Sequence, residues 1–225
     1  MFLGIDHVVL AVADPDAALA ELGAFLGVRP TTSGGRHPSW GTRNRLLWLG
    51  DTFIELVTVA DPREAERSWL GAPLLDALPG PVAIGWAIAT DDLDLDRTEL
   101  NTNGAALAPG TAGERRRPDG EMVRWRLALP PELSLRAPFL IEHDLTAAEW
   151  RPEDRAARAI DPARLEAIAL PVDSVDGLPF APRGAVVGSQ LIRAAGWETS
   201  QPEIHISGLD RSASGTLLGC RWLVT

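Results

Sequence analysis

The chain contains a single cysteine, Cys220, so it cannot form an internal disulfide bond. Proteins of oxidising compartments commonly rely on disulfides, and this scarcity therefore favours the reducing cytoplasm as the location. A chain of 225 residues buries enough apolar surface to fold without a disulfide or a structural metal. We interpret Cys220 as a small apolar side chain of a C-terminal strand and not as a nucleophile.

Long apolar runs are also lacking, and none reaches the roughly 20 residues that a membrane-spanning helix requires. The first residues already follow a strand pattern that includes Asp6 and His7, which is not the pattern of a signal peptide. Acidic residues outnumber basic ones, 31 to 21, and give a net charge of −10. Because this charge repels phosphate backbones, we expect neither nucleic acid nor a membrane as a partner.

Two common catalytic signatures are missing. The segment Ser33-Gly34-Gly35 lacks the spacing of a phosphate-binding loop, and no serine lies at a sharp strand-to-helix turn of the hydrolase kind. Tyrosine is absent as well, whereas the chain has 8 tryptophans. We expect most of these tryptophans to lie in the core or in the wall of a pocket.

What the sequence does contain is one pattern that occurs twice. In the first copy, an apolar strand over residues 4–13 precedes a helix over residues 14–27, with Asp14 as its N-cap and Gly27 as its C-cap. Residues 31–44 are rich in Thr, Ser and Gly, which predicts a loop. Strands over residues 44–49 and 52–59 follow, so the first copy ends in two or three antiparallel strands.

The second copy has the same order of elements. It begins with a strand over residues 81–90 and a helix over residues 91–104, and it ends with strands over residues 123–129 and 139–144. The span from the capping Asp to the final Gly of the helix is the same in both copies. A repeat of this length indicates two fused half-domains that share one site.

We therefore divide the chain into a first module over residues 1–62, a connector over residues 63–80 and a second module over residues 81–145. Residues 146–225 form a C-terminal extension. Its segment 165–172 resembles the first strand of the chain, so we interpret the extension as a degenerate, partial third module.

Three segments resemble the vicinal oxygen chelate superfamily and, within it, the glyoxalase-like group. They are Gly4-Ile5-Asp6-His7-Val8-Val9 before the capped helix, Asp51-Thr52-Phe53-Ile54-Glu55-Leu56, and the loop His37-Pro38-Ser39-Trp40-Gly41-Thr42-Arg43-Asn44. The resemblance implies an α+β fold with tandem βαβββ modules. Their strands would form a cup-shaped mixed sheet around a cavity, with the helices outside.

The resemblance also implies a metal site, because metal-using members direct His and Glu side chains of the first and last strands to one divalent ion. Carried over to this chain, the ligands are His7, Glu55 and Glu142, for Zn, Ni, Mn, Fe or Mg. The position that corresponds to His7 in the second module is Ile84 if the helix caps are aligned, and otherwise a neighbouring apolar residue, so one ligand of the pattern is missing.

An alternative explains both glutamates without a metal. A buried carboxylate needs a partner, and an arginine of a neighbouring strand would serve. The pairs would be Glu55 with Arg43 or Arg45, and Glu142 with Arg124 or Arg126. Because His143 points to the opposite face of its strand from Glu142, we do not expect the two-His, one-carboxylate iron centre of oxygenases.

In the metal hypothesis, the ion holds two substrate oxygens and stabilises an enolate, while Glu55 or Glu142 moves a proton. Five residues are candidates for substrate binding: His37, Trp40, Arg43, Asn44 and Trp86. The alternative for His37 and Trp40 is an ordinary loop without a binding role. The alternative for Arg43 and Asn44 is an ion pair with Glu55, and the alternative for Trp86 is packing in the core. The basic segment 115–117 is interpreted as part of a solvated turn, with attraction of an anionic ligand as the alternative.

Two functions remain open at this point. The first is a metal-dependent lyase or isomerase that acts on a carbonyl or vicinal-oxygen substrate, and the two strand glutamates favour it. The second is a metal-free protein that binds or sequesters a small, partly aromatic compound, and the missing second histidine favours it. We also expect self-association as a homodimer, although both modules lie in one chain.

Overall fold

The computed structural model describes residues 2–31, 33–176, 178, 186–187, 189–196 and 201–225. These residues form a closed barrel of eight strands and a second sheet of six strands. Within the same residues, no helix is both long and apolar enough to cross a membrane.

The first half of the barrel is formed by residues 2–59. Its elements are β1 (Phe2–Ala11), α1 (Pro15–Leu26), β2 (Ser33–His37), β3 (Thr42–Leu49) and β4 (Thr52–Val59), with a short 3₁₀ turn at Pro38–Trp40. The predicted caps of α1 are confirmed. The Asp14 side chain accepts a hydrogen bond from the Asp16 N–H, and Gly27 has a left-handed backbone with φ of 71°.

The connector contains two short helices, and the second half of the barrel follows it. The elements are α2 (Pro62–Ala65), α3 (Gly71–Ala77), β5 (Val82–Thr90), α4 (Leu93–Thr102), β6 (Thr111–Arg116), β7 (Met122–Ala128) and β8 (Phe139–His143). The Asp92 side chain caps α4 by accepting a hydrogen bond from the Leu95 N–H. Both helices of the repeat therefore begin at an aspartate, although the cap in the second half is Asp92, one residue after the start that the repeat predicts.

The two halves pair their strands in the same way. In the first half β1 lies parallel to β4, and in the second half β5 lies parallel to β8. The antiparallel β1–β5 pair joins the halves on one side, and the β2–β6 pair closes the barrel on the other, where Arg36 lies opposite Arg116. The predicted α+β fold with a mixed sheet around a cavity is confirmed.

The predicted loop over residues 31–44 is wrong in part, because it contains β2. Glycine suits this strand because its neighbours approach too closely for a side chain. A Cβ atom at Gly35 would lie 2.0 Å from the Arg116 carbonyl oxygen, and one at Gly34 would lie 2.4 Å from that of Asn44. A composition that is typical of loops here serves a tightly packed strand.

The C-terminal extension forms the second sheet. Its elements are α5 (Pro152–Arg158), β9 (Arg164–Leu170), β10 (Val186–Val187), β11 (Gln190–Ala194), β12 (Glu203–Ser207), β13 (Ala213–Leu217) and β14 (Cys220–Val224). The strand order is β10-β11-β9-β12-β14-β13. β9 is parallel to β11, β12 is parallel to β14, and β9 is antiparallel to β12. The barrel has the same pairing, with β1 parallel to β4, β5 parallel to β8, and β1 antiparallel to β5. The division of the chain into domains stays a prediction.

The main apolar core lies between the outer face of the barrel, the helices and the second sheet. It contains Leu10 of β1, Leu22 of α1 and Trp222 of β14, all fully buried. Cys220 belongs to the same core, and burial raises the pKa of its thiol to about 12. A thiol in this environment stays protonated, which agrees with a packing role.

We predict that Gly35→Ala destabilises the protein while Gly80→Ala does not. The added methyl group at position 35 would collide with the backbone of the β2–β6 pair. At position 80, no described residue other than the chain neighbours lies within 4 Å of the added methyl group. Overpacking of this kind costs about 1–3 kcal/mol. Urea denaturation of both variants measures the difference. An unchanged urea midpoint for Gly35→Ala would contradict the close packing of β2 against β6.

Candidate functional site

The barrel encloses a cavity of about 50 Å³, which is space for a few water molecules or for the reacting end of a small compound. Its wall is largely aromatic and apolar. The aromatic side chains that line it include Trp40, Phe53, Trp69, Trp125 and Phe139. The polar side chains that line it are His7, His37, Asn44, Glu55, Arg115, His143 and Glu149.

A β-bulge in β1 places Asp6 next to the cavity histidines. Ile5 lies opposite Ile88 and His7 lies opposite Ala87, so Asp6 is an extra residue without a partner on β5. A bulge interrupts the alternation of side chains and redirects one of them. Because of it, the Asp6 carboxylate contacts its chain neighbour His7 as well as a residue of another strand.

Asp6 lies between two imidazoles. Its Oδ1 is 2.5 Å from Nδ1 of His7, and its Oδ2 is 2.7 Å from Nε2 of His143. Burial raises the pKa of Asp6, but the charge and hydrogen bond of His143, together with the hydrogen bond of His7, outweigh it and hold the pKa well below its usual range. The ionised Asp6 accepts a hydrogen bond from the Nδ1–H of His7, and Nε2 is the ring nitrogen of His7 that lies toward Glu55 in the cavity.

Glu55 of β4 faces this nitrogen. Its Oε2 lies 3.7 Å from Nε2 of His7, and both side chains are buried. Asn44 holds the other oxygen, because its Nδ2 donates to Oε1 of Glu55 at 2.6 Å. The Oδ1 of Asn44 in turn accepts from the Gly35 N–H at 2.8 Å, which fixes the orientation of the amide. An imidazole and a carboxylate therefore meet in the cavity, each oriented by a second buried side chain.

His37 is a neutral imidazole in the same cavity. Burial lowers its pKa to about 3, and the charge of Arg115 adds to this effect. Its Nδ1 lies 2.8 Å from the hydroxyl oxygen of Thr42, and its Nε2 lies 3.9 Å from Oε1 of Glu55. A neutral ring can present a donor or an acceptor to a ligand without adding charge.

The opposite wall carries a buried ion pair that the sequence analysis missed. Nη2 of Arg115 lies 2.6 Å and 2.7 Å from the two carboxylate oxygens of Glu149. Arg115 belongs to β6 and is buried, so its interpretation as part of a solvated turn is wrong. The two residues are 34 positions apart, and no local pattern in the sequence signals such a contact.

Glu142 does not join His7 and Glu55. Alternation along β8 directs Phe139, Ile141 and His143 to the cavity, so Glu142 points to the outside. There its Oε2 accepts from Nη1 of Arg126 at 2.9 Å. The ion-pair alternative from the sequence is the one that the geometry supports for this glutamate.

The strand register explains this error. His7 pairs with Phe53 in the first half, and Ala87 pairs with Phe139 in the second half. The residue that corresponds to Glu55, two positions after the phenylalanine, is therefore Ile141. The counterpart of His7 is Ala87, an apolar residue of the same strand as Ile84, so the alignment of the helix caps is wrong and the predicted alternative of another apolar residue holds. Both ligand positions of the second half hold apolar side chains.

The predicted metal centre consequently does not fit the residues present. Of its three ligands, only His7 and Glu55 face the cavity. In the part of the chain that the structure describes, no group of three or more His, Cys, Asp or Glu side chains is arranged to hold a metal ion.

Two of the five predicted substrate-binding residues lie outside the cavity. Nη1 of Arg43 is 3.2 Å from Oδ2 of Asp16, on the outer face near the start of α1. Trp86 is buried in the core, and its indole N–H donates to the Leu135 carbonyl at 2.9 Å. A second bulge, at Ile84 of β5, reverses the expected faces and places Ile84 and Trp86 on opposite sides.

The other three, His37, Trp40 and Asn44, line the cavity together with His7 and Glu55. Their ring contacts are close: the centroids of His37 and Trp40 lie 5.1 Å apart, and those of His7 and Phe53 lie 4.6 Å apart in a stacked arrangement. The structure thus brings these five side chains to one place, and their roles stay predictions.

The glyoxalase-like domain family matches residues 5–177 of the chain. The chain belongs to this family. With its paired βαβββ halves and central cavity, it is a member of the vicinal oxygen chelate superfamily. No curated protein matches the chain.

Solved structures with a similar fold include a hypothetical protein from Staphylococcus aureus, at 14% identity and a TM-score of 0.77, with 99% of this chain and 98% of that one covered. Methylmalonyl-CoA epimerase from Mycobacterium tuberculosis is 26% identical, with a TM-score of 0.45 over 63% of this chain and 89% of that one. The epimerase from Streptomyces coelicolor in complex with 2-nitronate-propionyl-CoA is 21% identical, with a TM-score of 0.46 over 64% and 99%. The first similarity shows the fold, and the other two superpose too loosely to bear on the activity.

We predict that His37 makes the protein less stable as the pH falls below about 6.5. The pKa of His37 is about 3 in the folded state and 6.5 as its ordinary value, so in this interval only the unfolded chain binds the proton. The unfolding free energy then falls by up to about 1.4 kcal/mol per pH unit. Urea denaturation at about pH 7, 6 and 5 measures the slope of the unfolding free energy against pH. These pH values lie above the ordinary pKa of an aspartate, so Asp6 does not contribute to the slope.

The variant His37→Gln should lose this part of the slope. His205→Gln removes a histidine of the second sheet and should keep it. An equal slope in His37→Gln and the unaltered protein would show that this imidazole is not buried in neutral form.

Proposed function

We propose that the protein is an isomerase or lyase that moves a proton on a small carbonyl compound, with His7 and Glu55 as the acid–base pair. The observation that carries the proposal is their geometry. Nε2 of His7 and Oε2 of Glu55 face each other at 3.7 Å in a cavity whose other walls are mainly apolar. General acid–base catalysis needs such groups at fixed positions within reach of the reacting atom.

The proposed step begins with His7. Its Nε2 takes a proton from the carbon next to the carbonyl group, and the electron pair of that C–H bond moves to the carbonyl oxygen. The carboxylates of Asp6 and Glu55, on either side of the ring, stabilise the imidazolium that forms. In an isomerisation of a hydroxyketone, the imidazolium gives the proton to the former carbonyl carbon, while Glu55 takes the proton of the neighbouring hydroxyl group and passes it to the former carbonyl oxygen. In a lyase reaction, the electron pair expels a leaving group from the next carbon, and the imidazolium protonates that group.

The remaining cavity residues have binding roles in this proposal. Asn44 keeps Glu55 in place, and the neutral His37 offers a hydrogen bond to a polar substrate atom. Trp40 and Trp125 line the cavity beside His37 and offer aromatic surface to a substrate. The cavity is bounded by strands of one chain. The homodimer and the cytoplasmic location stay predictions.

A second function is favoured by the aromatic wall. The rings of Trp40, Phe53, Trp69, Trp125 and Phe139 surround the cavity, and such rings bind planar compounds by stacking and edge contacts. A protein that only sequesters a small planar compound would use this wall and would not need the pair of His7 and Glu55. Proton exchange therefore separates the two functions.

The proposed activity predicts deuterium incorporation into small hydroxyketones. In D₂O, with hydroxyacetone and dihydroxyacetone as probes, NMR should show exchange of the protons next to the carbonyl group. His7→Gln and Glu55→Gln should each lower the rate by about 100-fold or more. The matched control is Glu142→Gln, the same chemical change on the outer face, which should keep the rate.

Exchange by the unaltered protein that does not exceed that of the His7→Gln/Glu55→Gln double variant would refute the enzyme. Binding of a planar aromatic compound without exchange would then support the sequestering protein.

A separate prediction concerns the divalent metals. Because only two of the predicted ligands face the cavity, the proposed step uses no metal ion. We expect Zn, Ni, Mn, Fe and Mg to change the melting temperature of the protein and of His7→Ala by the same amount, since a ligand specific to the folded site must raise stability. A stoichiometric ion in protein purified without chelator, lost in His7→Ala and kept in Glu142→Ala, would contradict this expectation.

A further inference from the structure

Arg115 has a hydrogen-bond donor that nothing in the described part of the chain satisfies. Its side chain is 4% exposed, and one of its terminal nitrogens, Nη2, contacts both oxygens of Glu149. The other, Nη1, is buried and has no hydrogen-bond partner among the described residues. Arg115 lines the cavity that holds His7 and Glu55.

A buried donor without a partner is costly. Leaving such a group unsatisfied costs about 1–3 kcal/mol, and more when the group is charged. A buried donor without a partner in a folded protein therefore requires an explanation. One explanation is that a ligand atom accepts its hydrogen bond. Because Arg115 lines a cavity of about 50 Å³, a compound bound there lies close to its guanidinium group.

We propose that Nη1 of Arg115 donates a hydrogen bond to the carbonyl oxygen of a neutral substrate. This inference rests on the proposed function and specifies the substrate class of that site. When the proton leaves the neighbouring carbon, negative charge develops on the same oxygen, and the guanidinium stabilises it. Donors that are already in place for such an oxygen lower the barrier because they need not reorganise during the reaction.

The Arg115 donor is held in position by Glu149, which is itself held by Arg158. Glu149 lies in a 3₁₀ turn at Ala148–Trp150, shortly after β8. Arg158 of α5 donates to the main-chain carbonyl of Glu149 and lies over the Trp48 ring at 3.7 Å. The turn is thus attached to the barrel, and Glu149 keeps the planar guanidinium of Arg115 in one orientation.

The charges around the cavity favour a neutral substrate over a carboxylate. Glu149 already balances the charge of Arg115, Asp6 balances that of His143, and His37 is neutral. Glu55 adds a further carboxylate within the same wall. An anionic substrate would bring one more negative charge into this buried space, where charges of like sign repel strongly. A ketone or amide oxygen receives the hydrogen bond without this repulsion.

Binding of two probes of similar size tests the inference. Acetamide offers a neutral carbonyl oxygen, and acetate offers a carboxylate. Titration followed by NMR should show that acetamide binds at least about tenfold more tightly than acetate, a difference of about 1.4 kcal/mol. The double variant Arg115→Met/Glu149→Gln, which removes the donor and leaves no unpaired carboxylate, should bind acetamide at least about tenfold more weakly.

The chain offers a matched control. Arg126 and Glu142 form an Arg–Glu pair on the outer face at 2.9 Å, so Arg126→Met/Glu142→Gln makes the same change away from the cavity. This control should bind acetamide like the unaltered protein. Thermal melting of both double variants verifies that each is folded before binding is compared.

The outcomes separate this inference from the proposed function. Loss of proton exchange in His7→Gln and Glu55→Gln tests the reaction, whereas loss of acetamide binding in Arg115→Met/Glu149→Gln tests the donor. Unchanged acetamide binding in a folded Arg115→Met/Glu149→Gln variant would refute the role of Arg115, even if exchange is observed. Tighter binding of acetate than of acetamide would refute the neutral substrate class. Exchange that fails while Arg115-dependent acetamide binding persists would refute the proposed reaction and leave the binding site.

Discussion

The contact on which the cavity depends is the Asp6 carboxylate held between His7 and His143. It joins β1 of the first half to β8 of the second, and it orients His7 toward Glu55. A buried carboxylate is tolerated because the two imidazoles keep its pKa well below the usual range despite burial. The bulge at Asp6 makes this contact geometrically available. One irregular residue therefore determines which side chains face one another inside the barrel.

Around this contact, the two halves of the barrel divide the chemistry unequally. The first half supplies His7, His37, Asn44 and Glu55, whereas the second half has apolar residues at the positions that correspond to His7 and Glu55. The second half contributes Arg115 of β6, and Glu149 follows it along the chain. The acid–base pair and the buried cation consequently lie in different halves, on opposite sides of one small space. A compound bound there would touch both halves at once.

The sequence predicted the regular features and missed the irregular ones. Capped helices, the strand repeat, and the positions of His7 and Glu55 follow from local patterns that each module contains within itself. The faces of Glu142 and Trp86 were wrong because alternation was counted along regular strands, and because bulges and the strand register leave no trace in composition. β2 was missed because its glycines are typical of loops. The pair of Arg115 and Glu149 joins residues far apart in the chain, which only the closed barrel brings together.

The closure of the barrel has a consequence of its own. Among the described residues, β2 and β6 are paired at a single position, Arg36 with Arg116, while the neighbouring strands have long ladders. Backbone that shares few hydrogen bonds separates at lower cost than a continuous ladder, so amide hydrogens along this line should exchange with solvent sooner than those of β1. His37 ends one of these strands and Arg115 lies in the other, so transient opening of this line would hydrate the polar end of the cavity before the core between the two sheets.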